Sequence, residues 1–306
     1  MTAPRTAPHG RTAHPRPAPR AAGPRAWSVR LGIRRGVTEF GHMLRTPEDV
    51  GWNVLIGVAL LVYLWTQKDT PVPGADGLTV PALALAGILA ATIMFGMTLG
   101  PAFALATEVE DGTVLRLRAA PRGTSTYTVG MLTAQVLGTL PMLAVLLVPW
   151  PFLLGDPMHQ GPGGWVALVG WLLLGTLAML PVGVVVGALC GRPARVLPFG
   201  VAPVVILAFV SGVFGPPTGL PGWAQGTVQA FPLYWLAHGM RSTTLPEAAE
   251  ALEIGGAWHP GIAAAVLAAW AVAGVVVAPL VLRRVTSRQT AGAMAARLQA
   301  HLQRTA

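Results

Sequence analysis

The chain has 306 residues, of which 53% are hydrophobic and only 11% are charged, and its formal net charge is +9. Soluble domains carry roughly 25% charged residues, so this composition excludes an ordinary soluble domain and indicates an integral membrane protein. Cys190 is the only cysteine, which excludes a disulfide framework and a thiolate metal site.

The N-terminal tail is basic and rich in proline. Residues 1–26 contain six Pro and five Arg without an apolar run, so we predict a disordered segment. No signal-peptide apolar region precedes Val50, and no cleaved leader is expected.

An amphipathic pattern follows the tail. Between Trp27 and Leu44, apolar residues recur at helical spacing among arginines: Ile33, Val37, Phe40 and Leu44. This pattern predicts a helix lying on the inner leaflet of the membrane. An ordinary basic linker is the alternative.

Six apolar stretches are candidates to cross a hydrocarbon core of roughly 30 Å. They cover about residues 50–66, 80–107, 127–154, 165–191, 196–214 and 261–282. No acidic or basic residue lies well inside any of them. The predicted fold class is an all-α integral membrane protein with six transmembrane helices, preceded by the amphipathic interfacial helix.

The basic residues predict the orientation of these spans. With the N-terminus inside, 19 of the 21 basic residues are cytosolic, and only Lys68 and Arg241 are not. This asymmetry predicts that both termini are cytoplasmic in a multi-pass protein of the cell membrane. Basic flanks beside anionic lipid headgroups also account for the net charge, so we expect membrane lipids as partners and no nucleic acid.

Small residues recur at a spacing of four within two spans. Gly183, Gly187 and Gly191 form one series, and Gly96 and Gly100 another. Small residues at this spacing let helices pack closely. The contacts could lie within one chain or at a dimer face.

An acidic segment separates spans two and three. Thr107 and Glu110 match a capping box, which would place Glu108, Glu110 and Asp111 at the positive end of a short helix. Gly112 would allow another backbone to approach closely, and a contact stripe would include Val109, Thr113 and Leu117. We predict that residues 108–121 dock onto a partner. A solvated loop whose acids only cap a helix is the alternative.

Residues 215–260 are too long for a tight turn and too apolar for a free loop. Two short apolar helices, Trp223–Ala230 and Leu233–Met240, are broken at Pro232, and neither can span the membrane alone. We predict a re-entrant or interfacial pair at the outer face. Glu247, Glu250 and Glu253 follow at helical spacing and predict a solvated outer face.

The sequence lacks the common signatures of chemistry. A P-loop needs a lysine after its glycines, and the only lysine, Lys68, follows Thr66-Gln67. The histidines form no His-x-x-x-His pair, and there is no Gly-x-Ser-x-Gly motif. We therefore expect no metal, cofactor or catalytic site in this chain.

Two motifs resemble those of ABC-2 type transporter permeases. The first is Glu110-Asp111-Gly112-Thr113-Val114 with Leu117 and Pro121, in the predicted cytosolic loop. The second is Leu220-Pro221-Gly222-Trp223-Ala224-Gln225, then Phe231-Pro232-Leu233 and Met240-Arg241, in the outer segment. The chain departs from the pattern at Val114-Leu115-Arg116, where many relatives carry Leu-Glu.

The resemblance implies a transmembrane domain over residues 27–285 and a cytosolic C-terminal tail over 286–306. It implies an ABC exporter of two permease copies and two separate ATPase subunits, which would bind the ATP and Mg. Similar members are actinobacterial drug and antibiotic exporters, implying a hydrophobic or amphiphilic cargo. Export of a lipid-linked glycan, a membrane-embedded enzyme and a scaffold without transport activity are the alternatives.

The resemblance also implies two sets of functional residues. The residues coupling to the ATPase would be Glu108, Glu110, Asp111, Gly112, Thr113, Leu117 and Pro121. The outer re-entrant segment would be marked by Pro221, Trp223, Pro232 and Arg241.

Overall fold

The computed structural model describes residues 24–72, 77–111, 113, 123–155, 158, 161–211 and 216–305. This part of the chain is almost entirely helical, as predicted for an all-α protein. Its one extended pairing is an isolated antiparallel bridge between Pro71 and Thr79. The predicted disordered tail lies mostly outside the described residues.

Ten α-helices, here labelled in chain order, lie within the described residues. They are α1 Pro24–Met43, α2 Pro47–Thr66, α3 Val80–Glu110, α4 Gly123–Leu147, α5 Trp150–Leu154, α6 Pro162–Cys190, α7 Pro193–Val210, α8 Gly222–Val228, α9 Pro232–Thr244 and α10 Pro260–Thr305. Short 3₁₀ helices at Pro217–Gly219 and Glu247–Leu252 complete the outer segment.

Five of the described helical stretches are long and apolar enough to cross a membrane. They are Val80–Glu110, Thr126–Leu154, Pro162–Cys190, Pro193–Val210 and Pro260–Leu282. The apolar part of α2, Val50–Thr66, falls short of that length. Five of the six predicted spans are therefore present as membrane-length helices, and a span in α2 stays a prediction.

These helices leave large apolar side chains on the outside of the bundle. Leu177, Phe209 and Val275 are each more than 60% exposed. Such a surface would be an aggregation site in water, whereas lipid tails are as apolar as these side chains. Together with the membrane-length helices, this surface identifies a multi-pass membrane protein.

Two of the long helices contain a π-helical turn just before a proline. The turn Phe95–Leu99 precedes Pro101 in α3, and Leu197–Val201 precedes Pro203 in α7. Proline lacks an N–H and clashes with the carbonyl one turn earlier. The wider turn accommodates that missing hydrogen bond without ending either helix.

Glycines on α6 bring it against the backbone of α3. A methyl group at Gly187 would lie 2.6 Å from the Ala102 carbonyl oxygen, and one at Gly183 would overlap the Thr98 carbonyl oxygen. The contact of this glycine series is therefore within the chain. Gly191 has a different role, since its φ of +63° ends α6 in the left-handed conformation.

The helix predicted for residues 27–44 is present as α1, and it packs along α4. Its buried face is the small-residue series Ser28, Gly32 and Gly36. Gly32 meets Val129 and Gly36 meets Thr133, so the two helices run side by side in the same direction. Ile33 and Val37 remain exposed. The placement of α1 on the inner leaflet stays a prediction.

The outer segment is docked onto the long helices. Helix α9 packs against α3, α6 and α10, and its Leu233, Leu236 and Met240 are fully buried. The Trp171 Nε1–H on α6 donates to the Thr243 hydroxyl at 3.2 Å. Of the two short helices predicted around Pro232, α9 is thus part of the core, whereas most of α8 is exposed. Beyond them, α10 continues past residue 282 through the predicted tail as far as Thr305.

Candidate functional site

The acidic segment begins inside a helix and not at the start of one. Thr107 lies in the last turns of α3, and its hydroxyl donates to the Phe103 carbonyl at 2.9 Å. The predicted capping box of Thr107 and Glu110 is therefore wrong. Leu105, Ala106 and Val109 are buried. The helix therefore continues through the predicted start at Thr107, because the free energy of this packing exceeds that of an N-cap, which is typically about 1 kcal/mol.

Because Thr107 does not start a helix, the acidic residues lie at the opposite end of the helix dipole from the predicted one. Glu110 is the last residue of α3 and Asp111 follows it, so both lie at the negative end of the helix dipole. Acidic residues there are unfavourable by a few tenths of a kcal/mol each. Stability of α3 does not explain them, and a nearby cation or an external partner would offset their charge.

One compensating cation comes from the turn between α6 and α7. The Arg192 Nε lies 3.8 Å from a Glu110 carboxylate oxygen, with side chains 64% and 48% exposed. Ala106 packs with Cys190 and Val196, which holds this turn against the end of α3. The pair forms an exposed charged surface made from the end of α3 and the turn between α6 and α7.

A second group of side chains ties α3 to α1 and α4. The Tyr127 hydroxyl donates to Met131 Sδ at 3.5 Å and lies near the half-buried Glu108 carboxylate, and the Arg35 Cζ lies 4.8 Å from the centre of the Tyr127 ring. One Glu108 oxygen is buried without a hydrogen bond in the described part of the chain. Glu108 therefore faces the bundle, whereas Glu110 and Asp111 face outward.

The other predicted coupling residues are placed only in part. Thr113 is half-buried and helical. Gly112, Leu117 and Pro121 lie outside the described residues. The predicted docking segment is thus described only at residues 108–111 and at Thr113.

The predicted outer residues all lie in the docked outer segment. Pro221 precedes the first residue of α8, and Trp223 is 77% exposed. Pro232 occupies the first position of α9, where its missing N–H is harmless. Arg241, in the last turn of α9, is 1% exposed.

Arg241 forms a buried ion pair that the sequence analysis did not predict. Its Nε and Nη2 both donate to the Glu253 carboxylate, the second at 3.1 Å. Glu253 is 2% exposed, so its prediction as part of a solvated face is wrong. The backbone is extended at Glu253, and this turns the carboxylate inward while Glu247 stays exposed.

Two further side chains complete this outer network. The Tyr234 hydroxyl donates to Glu253 at 3.3 Å, and His238 Nδ1 lies 2.8 Å from the same oxygen. The backbone N–H of His259 donates to His238 Nε2 at 2.9 Å. Because that nitrogen accepts, His238 carries its proton on Nδ1 and donates it to Glu253.

A signal for the network was present in the sequence. Arg241 is one of only two basic residues outside the predicted cytosolic segments, and it lies in an apolar helix. A buried arginine requires a counter-charge. The three acids that follow it were the candidates, but spacing alone did not select Glu253.

The network predicts an acid transition of the outer segment. Burial alone raises the pKa of Glu253, but Arg241 and the bonds from His238 outweigh it and lower the pKa from its ordinary 4.5 to about 2. The stabilisation is therefore complete above pH 4.5 and is lost as the pH falls towards 2. We expect the protection factors of the α9 amides, which correct for the intrinsic pH dependence of hydrogen exchange, to fall across that window.

The Glu253→Gln variant provides the control for this acid transition. Its amide does not titrate, so its protection factors in α9 should be low at every pH and lack the parent's fall. An equal fall in both proteins would assign the transition to other carboxylates.

No group of three or more His, Cys, Asp or Glu side chains within the described ranges is arranged to hold a metal ion. The buried network is saturated by its own hydrogen bonds. The exposed Glu110–Arg192 surface offers charge for recognition, and neither place has the arrangement of a nucleophile and a base that catalysis requires.

A family model described as ABC-2 type transporter matches residues 38–245. The match begins within α1 and ends one residue after α9, so it includes the acidic end of α3 and Arg241. Glu253 and α10 lie beyond it. No curated protein matches the chain.

Proposed function

This chain belongs to the ABC-2 type transporter family, and from this premise we propose that it forms the translocation pathway of an ABC exporter for a hydrophobic or amphiphilic compound. Members of this family are membrane components that work with an ABC ATPase, so the chain is the permease part of a transporter and not its catalytic subunit. We propose two permease copies and two ATPase subunits, with ATP and Mg bound by the ATPase.

The exposed acidic end of α3 is the observation that supports coupling to the ATPase. Glu110 and Asp111 stand at a helix end where they weaken the helix, and neither is buried. The Arg192 pair gives at most about 1 kcal/mol at such an exposed site. Recognition by a partner is a physical reason for acids in this place. Residues 112–121 belong to the same proposed element by their sequence.

Replacing Glu110 by Ala, or Gly112 by Leu, is expected to reduce both co-purification of the ATPase and transport. The first change removes an exposed acid, and the second blocks close approach of a partner backbone. Since the Glu110 pair contributes little stability, the permease should reach the membrane in parental amounts. Co-purification and efflux of a fluorescent amphiphile measure the two effects.

Glu247→Ala is the matched control, because it removes an exposed acid from the outer segment. It should assemble and transport like the parent. If Glu110→Ala and Gly112→Leu also behave like the parent, the coupling assignment fails. A permease that never associates with an ABC ATPase would overturn the proposed function itself.

A further inference from the structure

A cleft of about 850 Å³ opens between the end of α1 and helices α2, α3 and α4. Pockets for drug-sized ligands have volumes of roughly 300–1,000 Å³. The cleft is separate from both the acidic end of α3 and the outer network. Its size is therefore sufficient for one small ligand.

Most of the cleft wall is apolar. Large side chains line it from three helices, among them Ile56, Leu60, Ile88, Phe95 and Met142. Such a wall suits an apolar ligand body, and methionine adapts to irregular shapes.

Small residues from α3 and α4 also line the cleft. They are Ala91, Gly96 and Gly100 on α3 and Ala134 and Gly138 on α4. A side chain at Gly96 would meet Thr139, and one at Gly100 would meet Gln135. Ala134 thus offers a position for filling the cleft by substitution.

The charge in the cleft comes from α1. Glu39 and His42 both line it, and among the lining residues that the structure describes Glu39 is the one carboxylate. Within the described part of the chain Glu39 forms no ion pair. Its carboxylate is therefore available to a ligand.

The level of Glu39 in the bundle makes this carboxylate unusual. It shares the cleft with Ala134 and Gln135, which lie within the membrane-length stretch Thr126–Leu154. An acidic side chain at the level of a membrane span is costly, and such residues typically mark an ion or substrate pathway.

One amide adds a polar contact at the same level. The Gln135 side chain lines the cleft beside Gly100, and it has no hydrogen-bond partner among the described residues. An amide without a partner in an apolar wall can orient a ligand by a hydrogen bond.

We propose that this cleft binds a lipophilic cation, with its positive charge beside Glu39 and its apolar body against α2, α3 and α4. The negative charge of Glu39 selects a cation over an anion of the same shape. The inference rests on the proposed function only in treating the bound compound as cargo; binding itself requires no ATPase.

The test measures binding of radiolabelled tetraphenylphosphonium to the full chain in phosphatidylglycerol nanodiscs, with empty discs subtracted. Saturable binding is expected for the parent. Glu39→Gln should weaken it about tenfold or more, since bonds to charged groups are the strong ones. Glu39→Asp keeps the charge and should bind like the parent, while Ala134→Phe should fill the cleft and abolish binding.

Glu48→Gln is the matched control, since Glu48 is an exposed acid at the start of α2 that does not line the cleft. It should bind like the parent. Parental binding by Glu39→Gln, or equal affinity for the anion tetraphenylborate, would overturn the inference. Circular dichroism and monodisperse elution of Glu39→Gln show that the variant is folded.

Two further measurements separate the sources of the cation and the two proposals. Displacement of the probe by added phosphatidylethanolamine would identify a lipid amine as the occupant, and unchanged binding would identify a non-lipid cation.

Absent binding of the probe with intact ATPase association would refute binding in the cleft and leave the proposed function standing. Intact binding without association would refute the proposed function and leave the cleft.

Discussion

Arg241→Met is expected to destabilise the outer segment by about 3–5 kcal/mol, the usual cost of removing one partner of a buried ion pair. Methionine fills a similar space, but it leaves the Glu253 carboxylate buried without its guanidinium. The loss should appear as faster hydrogen exchange in α9 and faster proteolysis of residues 216–260. The five membrane-length helices should keep their protection.

The double variant Arg241→Met/Glu253→Leu separates the ion pair from the packing around it. Replacing both charges with apolar side chains is often neutral, so the double variant should recover most of the lost protection. Glu250→Gln alters a less buried acid in the 3₁₀ helix that precedes Glu253, and it should change stability by no more than about 0.5 kcal/mol. Parental exchange in Arg241→Met would show that the ion pair does not hold the segment.

Gly183→Leu is expected to separate α6 from α3 and to cost at least 1–3 kcal/mol, the range for overpacked cores. The added side chain would meet the carbonyl oxygens of Met97 and Thr98, and backbone atoms cannot rotate away as a side chain can. We expect a lower midpoint of unfolding in mild detergent. Transport should fall with it, because α3 also carries the acidic end at Glu110.

Gly170→Leu is the matched control for this contact. It lies on the same helix, and a methyl group there would meet no atom within 4 Å. Its side chain would face the outside of the bundle, so stability should stay at the parental level. Equal midpoints for the two leucine variants would contradict the close α3–α6 packing.

The sequence was sufficient for features that depend on local pattern. Apolar runs predicted five membrane-length helices to within a few residues at most ends, because burying about 20 apolar residues in lipid outweighs local preferences. The glycine spacing at 183 and 187 predicted a close helix contact, although its partner stayed open. Residues 110–121 and 220–241 also carried the family resemblance, which the family match confirmed.

Tertiary structure decided the features that depend on distant residues. The pattern Thr107 to Glu110 signals a helix start, yet packing of Val109 and its neighbours continued α3 to Glu110. Similarly, spacing placed Glu253 with Glu247 on a solvated face, whereas the fold brought it to Arg241. The cleft with Glu39 and Gln135 likewise depends on α1 lying along α4.

The physical reason is the range of each interaction. Periodicity and hydropathy depend on residues within one or two helical turns, so each segment shows them without contacts to the rest of the chain. An ion pair or a helix contact depends on where the whole chain brings two groups, and Arg241 had three acids within reach along the sequence. Only the extended backbone at Glu253, fixed by the packing of the outer segment, selected one of them.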